Sequence, residues 1–143
     1  MSAEENKAVI RRFVEGLSTQ SFDTIATVLG PEYTNYMPGA PGPLKGDTVK
    51  PVFDEFFTAF PDMQVDVHEM VAEGDTVATR YTIHATHRGP FQGLPPTGKR
   101  ITVAGASFYH VKNGKIVDDY PGFDALSLMQ QLGAIPSPEP ART

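Results

Sequence analysis

The sequence predicts an α+β fold in which helices pack on one face of a curved, mainly antiparallel sheet. Three observations carry this. Apolar residues recur at helical spacing in three segments before residue 61 and once near the C-terminus. From Met63 the period changes to two. Finally, an Asn113-Gly114 pair joins two alternating runs, the strongest short-range hairpin signal. Helices first, then a meander of strands, favour a sheet covered on one side and able to wrap a cavity.

The elements follow in order. Ser2 and Glu5 have capping-box spacing, and Val9, Ile10, Phe13, Val14 and Leu17 form one stripe of a helix over about 3–17. Ser21 caps a second, short helix carrying Phe22, Ile25, Ala26 and Leu29, ended by Gly30-Pro31. A strand from Tyr33 to Met37 comes next, and the Pro- and Gly-rich stretch 38–43 is a loop suited to a pocket rim. Asp47 caps a third helix bearing Val49, Val52, Phe53, Phe56, Phe57 and Phe60, with Pro51 tolerated in its first turn. Met63, Val65 and Val67 begin a half-buried strand, followed by strands over about 76–87, 99–112 and 115–120. Asp124 caps a last helix with Ala125, Leu128, Met129 and Leu132 on one side, stopped by Gly133. Residues 1–135 read as one domain and 136–143 as a flexible tail.

Composition narrows the function. The 143 residues are 40% hydrophobic and 20% charged, as expected of a globular domain able to bury roughly two-thirds of its unfolded surface. A net charge of -5, with scattered Lys and Arg, argues against a nucleic-acid partner. No apolar run reaches the ~20 residues of a membrane span, and MSAEENK lacks signal-peptide order, so a cytoplasmic protein is expected. The absence of Cys excludes disulfides and thiolate chemistry. His84 and His87 point to opposite faces of a strand, so no metal site is expected, and no cofactor motif occurs.

Several residues are candidates on their chemistry. Arg80 lies mid-strand among apolar neighbours and must enter a cavity or lie on the outer face. Alternation puts Val77, Tyr81 and Ile83 on one face and Arg80, Thr82 and His84 on the other, without saying which is concave. His84 shares that face with Arg80 and is a candidate second acid/base. Tyr33, Asn35, Tyr36 and Tyr109 offer neutral donors for a carbonyl or phenol oxygen, Asn35 foremost, because an amide inside an apolar strand needs a polar reason. Phe53 and Phe57 suit an apolar or aromatic ligand. The segment Gly89 to Pro96 reads as either a lid or an ordinary connector.

The element order, with Gly93-Leu94-Pro95-Pro96-Thr97-Gly98-Lys99-Arg100 before a strand, Asn113-Gly114-Lys115-Ile116-Val117, and Leu128-Met129-Gln130-Gln131-Leu132-Gly133, resembles the SnoaL-like polyketide cyclases. These belong to the nuclear-transport-factor-2-like superfamily, and the resemblance covers nearly the whole chain. It implies a cone-shaped sheet with helices on its concave face, a homodimer or homotetramer, and a cofactor-free aldol-type cyclase, of the kind called ester cyclases, or isomerase, which closes a ring or shifts a proton in a polyketide-like or other apolar carbonyl compound. In the cyclases the acid/base is an Asp on the last strand, three residues before the Asp that opens the final helix. Here that position is Pro121, and Asp119, on the same strand face, is the replacement candidate. A more distant resemblance to limonene epoxide hydrolases rests on Tyr33, Asn35 and Arg80, but the two acids flanking that Arg are replaced by Thr82 and Pro121. The implied catalytic set is Asp119, His84 and Arg80. The alternative is a non-catalytic carrier using the same cavity, which Pro121 favours.

Overall fold

The computed structural model describes residues 2–136 and shows one mixed six-stranded sheet with four helices. Helix α1 (Ala3–Ser18) is closed by the expected capping box, in which Glu5 N–H donates to Ser2 Oγ at 3.1 Å and Ser2 N–H to Glu5 Oε1 at 3.0 Å. Helix α2 spans Phe22–Ala26 and is capped by Ser21. It stops earlier than its apolar stripe predicts, because Leu29 joins β1 (Leu29–Asn35), where it pairs with Ile116.

The rim loop ends in a two-residue strand, β2 (Leu44–Lys45), which pairs antiparallel with Thr34 and Asn35. Nothing in the sequence pattern announces it. Asp47 sits in a 3-10 turn (Gly46–Thr48), so the N-cap of α3 (Val49–Ala59) is Thr48 rather than Asp47. The long strands follow as β3 (Gln64–Glu73), β4 (Thr76–Thr86), β5 (Arg100–Lys112) and β6 (Lys115–Tyr120), and α4 (Ala125–Gln131) is capped by Asp124. Asn113 and Gly114, with φ of 52° and 76°, form the left-handed turn between β5 and β6.

Sheet order is β2-β1-β6-β5-β4-β3, with β1 parallel to β6 and every other pair antiparallel. The parallel register sets Asn35 beside Asp119, and β5 sets Tyr109 on the other side of Asp119. A register shift between Val67 and Glu69 marks a bulge at His68. Helix α1 packs across β3 to β6, and α4 packs on β5.

Two buried clusters result. One gathers Ile10, Phe13, Ile25, Phe53, Tyr109 and Ile116; the other gathers Phe60, Met63, Phe91, Val103, Leu128 and Leu132. The Gly89–Pro96 segment is tied to the second cluster by Phe91, 1% exposed and within 5.4 Å of the Phe56 and Phe60 ring centres. None of its residues lines the cavity described below, so it behaves as an anchored connector. Among the described residues no helix is long and apolar enough to cross a membrane. Beyond Pro136, the predicted tail lies outside the described residues.

Candidate active site

A cavity of about 100 Å³ lies between the two clusters, bounded by α1, α3, α4 and the inner face of the sheet. Phe13, Phe53, Phe56, Phe57 and Phe60 make much of its wall. The side chains with polar groups on that wall are Asn35, Thr79, Tyr81, Ser107, Tyr109 and Asp119.

Asp119 is the only carboxyl among them, and it is 2% exposed. Tyr33 Oη donates to Asp119 Oδ2 at 2.8 Å, and Asn35 Nδ2 donates to Tyr33 Oη at 2.9 Å, lying 3.5 Å from the same carboxylate oxygen. The chain of bonds fixes its own orientation. A phenol has one hydrogen, which goes to the carboxylate, so the Asn35 atom beside its oxygen must be the amide nitrogen. Asn35 Oδ1 and Asp119 Oδ1 are then left with no partner among the described residues. Burial pushes the Asp119 carboxyl up to about 7; the Tyr33 bond holds it down, and the neighbouring Asp118 raises it. The same burial, reinforced by the Asp119 charge, lifts Tyr33 and Tyr109 well above the ordinary phenol range and keeps both as neutral donors.

The structure brings Asp119, Asn35, Tyr109, Phe53 and Phe57 together on the cavity. Tyr33 belongs to the network but does not line the cavity; it stands behind Asp119 with its hydrogen already committed. Three predicted placements are corrected. Arg80 is on the outer face, its side chain 58% exposed, with Nε 2.7 Å from Glu69 Oε1. His84 is on that face too, 3.2 Å from Asp66 Oδ2. Tyr36 is 43% exposed and stacks on Tyr120 with ring centres 4.6 Å apart. The physical reason is alternation: Thr79, Tyr81 and Ile83 face the cavity, so 80 and 84 cannot, and Asn35 facing inward turns Tyr36 outward. His84 and His87 do part company, since His87 is fully buried and its Nδ1 accepts from Thr97 N–H at 3.1 Å.

Thr79, Tyr81 and Ser107 are not among the site residues expected from the sequence. Their signal was weak but present: they fall at the same parity as Val77 and Tyr109 on two paired strands, and Gly105 stands opposite Tyr81. Pro121 lines the cavity on the Asp119 side, as its parity predicts.

Comparison with known proteins agrees with this architecture. The chain is 27% identical over 148 residues to the aklanonic acid methyl ester cyclase AcmA of Streptomyces galilaeus, covering 94% of each chain. It is 26% identical over 140 residues to the aklanonic acid methyl ester cyclase DnrD of Streptomyces peucetius, covering 92% of this chain and 93% of that one. The crystal structure of AclR, a candidate hydroxylase from Streptomyces galilaeus, superposes with a TM-score of 0.87 at 28% identity, over 96% of this chain and 87% of that one. The profile of the SnoaL-like polyketide cyclases matches residues 7–132. With a match that spans most of the chain, the protein belongs to the SnoaL-like polyketide cyclase family.

Proposed function

We propose that the protein is a cofactor-free aldol-type cyclase acting on a polyketide-like carbonyl compound, with Asp119 as its acid/base. One observation carries the proposal: a carboxyl buried in an apolar cavity, held by Tyr33 through one oxygen and free at the other, and poised near neutrality. Such a group removes a proton from the carbon beside a carbonyl. The resulting enolate attacks a second carbonyl of the same molecule, and the new alkoxide takes the proton back from Asp119. The apolar walls hold the two ends together.

The cavity is smaller than the ~300–1,000 Å³ of typical ligand pockets, so a multi-ring substrate requires half-buried wall residues such as Phe57 to swing aside. Aklanonic acid methyl ester is the first substrate to try, because two relatives are named for it. Turnover is followed by chromatography and mass spectrometry. Ring closure isomerises the substrate without changing its mass, whereas the hydroxylase activity for which AclR is a candidate would add an oxygen. Asp119→Asn is expected to lower ring closure by about 100-fold or more while retaining binding. Undiminished closure would remove Asp119 from the mechanism.

Pro121, standing where the cyclases place their acid/base, favours a second reading as a non-catalytic carrier. On that reading wild type and Asp119→Asn bind alike and neither converts the ligand. The proposed assembly is a homodimer or homotetramer, which analytical ultracentrifugation resolves.

A further inference from the structure

The cavity wall carries a second polar cluster that the Asp119 network does not use. On β4 and β5, Thr79 pairs with Ser107 and Tyr81 with Gly105. The three hydroxyl-bearing side chains are buried and line the cavity. Tyr81 Oη and Ser107 Oγ are 2.9 Å apart. Thr79, 4% exposed, has no hydrogen-bond partner for its Oγ1 among the described residues.

Tyr81 reaches this place because residue 105 is glycine. A Cβ there would stand 2.7 Å from Tyr81 Cε2, Cζ and Oη, a separation that real Cβ atoms do not adopt. The missing side chain, not backbone freedom, is what the site uses. Any other residue would push the phenol off this spot.

Two hydroxyls in contact spend one hydrogen on each other and keep one to donate elsewhere. The phenol is the more acidic of the two. An anionic oxygen in the cavity therefore draws the Tyr81 hydrogen, while Ser107 donates to Tyr81 Oη. We propose that Tyr81, backed by Ser107 and admitted by Gly105, is the oxyanion-binding donor of this cavity, with Thr79 as a second donor. The ligand class is an apolar ring or chain bearing an oxygen that takes on negative charge.

In the reaction proposed above, on which this inference rests, the substrate C–H proton moves to Asp119 Oδ1 and the bonding electron pair shifts onto the carbonyl oxygen. Tyr81 donates a hydrogen bond to that oxygen and transfers no proton. When the enolate carbon forms the new C–C bond, the attacked carbonyl becomes the alkoxide that recovers the proton from Asp119. Burial raises the Tyr81 phenol above its ordinary range, against the Ser107 contact, so it stays protonated as a donor.

Fluorinated phenols of graded acidity are suitable probes, since one ring is the scale of a cavity of about 100 Å³. They are titrated into the full chain, at a pH where the more acidic ones are ionised, and followed by fluorine NMR. Wild-type affinity is expected to rise with phenol acidity. Tyr81→Phe, which removes one oxygen and keeps the ring, is expected to bind the most acidic phenol roughly ten-fold more weakly and to flatten that trend. Gly105→Ala, which displaces the ring, should reproduce the loss, and Ser107→Ala should give a smaller one. Equal affinities for wild type and Tyr81→Phe across the series, or no rise with acidity in wild type, would overturn the proposal. Asp119→Asn, which removes a nearby negative charge, is expected to tighten phenolate binding. If Tyr81→Phe loses phenolates while Asp119→Asn keeps full turnover, the oxyanion site stands and the acid/base reading of Asp119 falls.

Discussion

Asp119→Asn tests the buried carboxyl without any knowledge of the substrate. In the folded protein Asp119 titrates at about 7, against an ordinary 3.8. The folded state therefore holds a proton that the unfolded chain releases, so stability falls as pH rises through this window. The gap amounts to about 4 kcal/mol in all, roughly 3 kcal/mol of it between about pH 5 and about pH 8. Asn has no such titration and can still accept the Tyr33 hydroxyl through its own oxygen. Urea denaturation at both pH values, followed by circular dichroism because the chain has no Trp, gives the difference directly. Wild type should lose roughly 3 kcal/mol more than the variant on going from the lower to the higher pH, and the variant should be the more stable protein at about pH 8. Carboxyls remote from residue 119 contribute equally to both proteins and cancel. Identical pH slopes would show that Asp119 is ordinary in its titration and remove the ground for its role.

Further tests follow from the same geometry. Tyr33→Phe removes the donor that holds the Asp119 carboxyl down, so the pH midpoint of stability, and of activity where a substrate is found, should move above about 7; an unmoved midpoint would disconnect Tyr33 from Asp119. Arg80→Ala breaks only an exposed pair with Glu69 and should cost about 0–1 kcal/mol in thermal denaturation, with ligand binding unchanged; a lost activity would restore Arg80 to the site. Phe57→Ala widens a half-buried part of the cavity wall and should improve binding of two-ring aromatics relative to one-ring ones, measured by calorimetry. An unchanged ratio would place the entry elsewhere.

Most of the fold was legible because it rests on local chemistry. Ser2, Ser21 and Asp124 cap helices where their spacing predicts, and Asn113-Gly114 makes its hairpin. What pattern alone could not supply was the partner of β1. Leu29 continues the apolar stripe of α2, yet tertiary pairing with Ile116 claims it for the sheet. The same limit governs the site. A period of two sorts residues into faces but does not label the concave one, and Arg80 and His84 fell on the wrong side of that choice. Asp119 was legible because it shares a strand face with residue 121, where the resembling cyclases carry their acid/base, and Asn35 because an amide in an apolar run needs a polar reason. Tyr81 was hidden because its hydroxyl acquires meaning only beside Ser107 and over Gly105, two positions distant in sequence that the β4–β5 register brings close.

The balance between catalyst and carrier turns on what an apolar cavity needs. A carrier gains affinity from walls such as Phe53 and Phe57 and loses it by keeping an ionisable group that must be desolvated. Asp119 imposes about 4 kcal/mol on a domain whose total stability is on the order of 5–15 kcal/mol. A hydrogen-bonded amide at 119 would keep the Tyr33 contact at less cost. A proton acceptor with its pKa near the working pH is instead what general acid/base catalysis requires. Pro121 is the feature that favours the carrier, but a strand repeats its facing every second residue, and Asp119 stands one such step away on the same cavity wall. On the proposed mechanism, the step of about 7 Å between alternate residues moves the proton acceptor along β6 toward Asn35 and Tyr109, so the substrate would present its acidic carbon beside those residues.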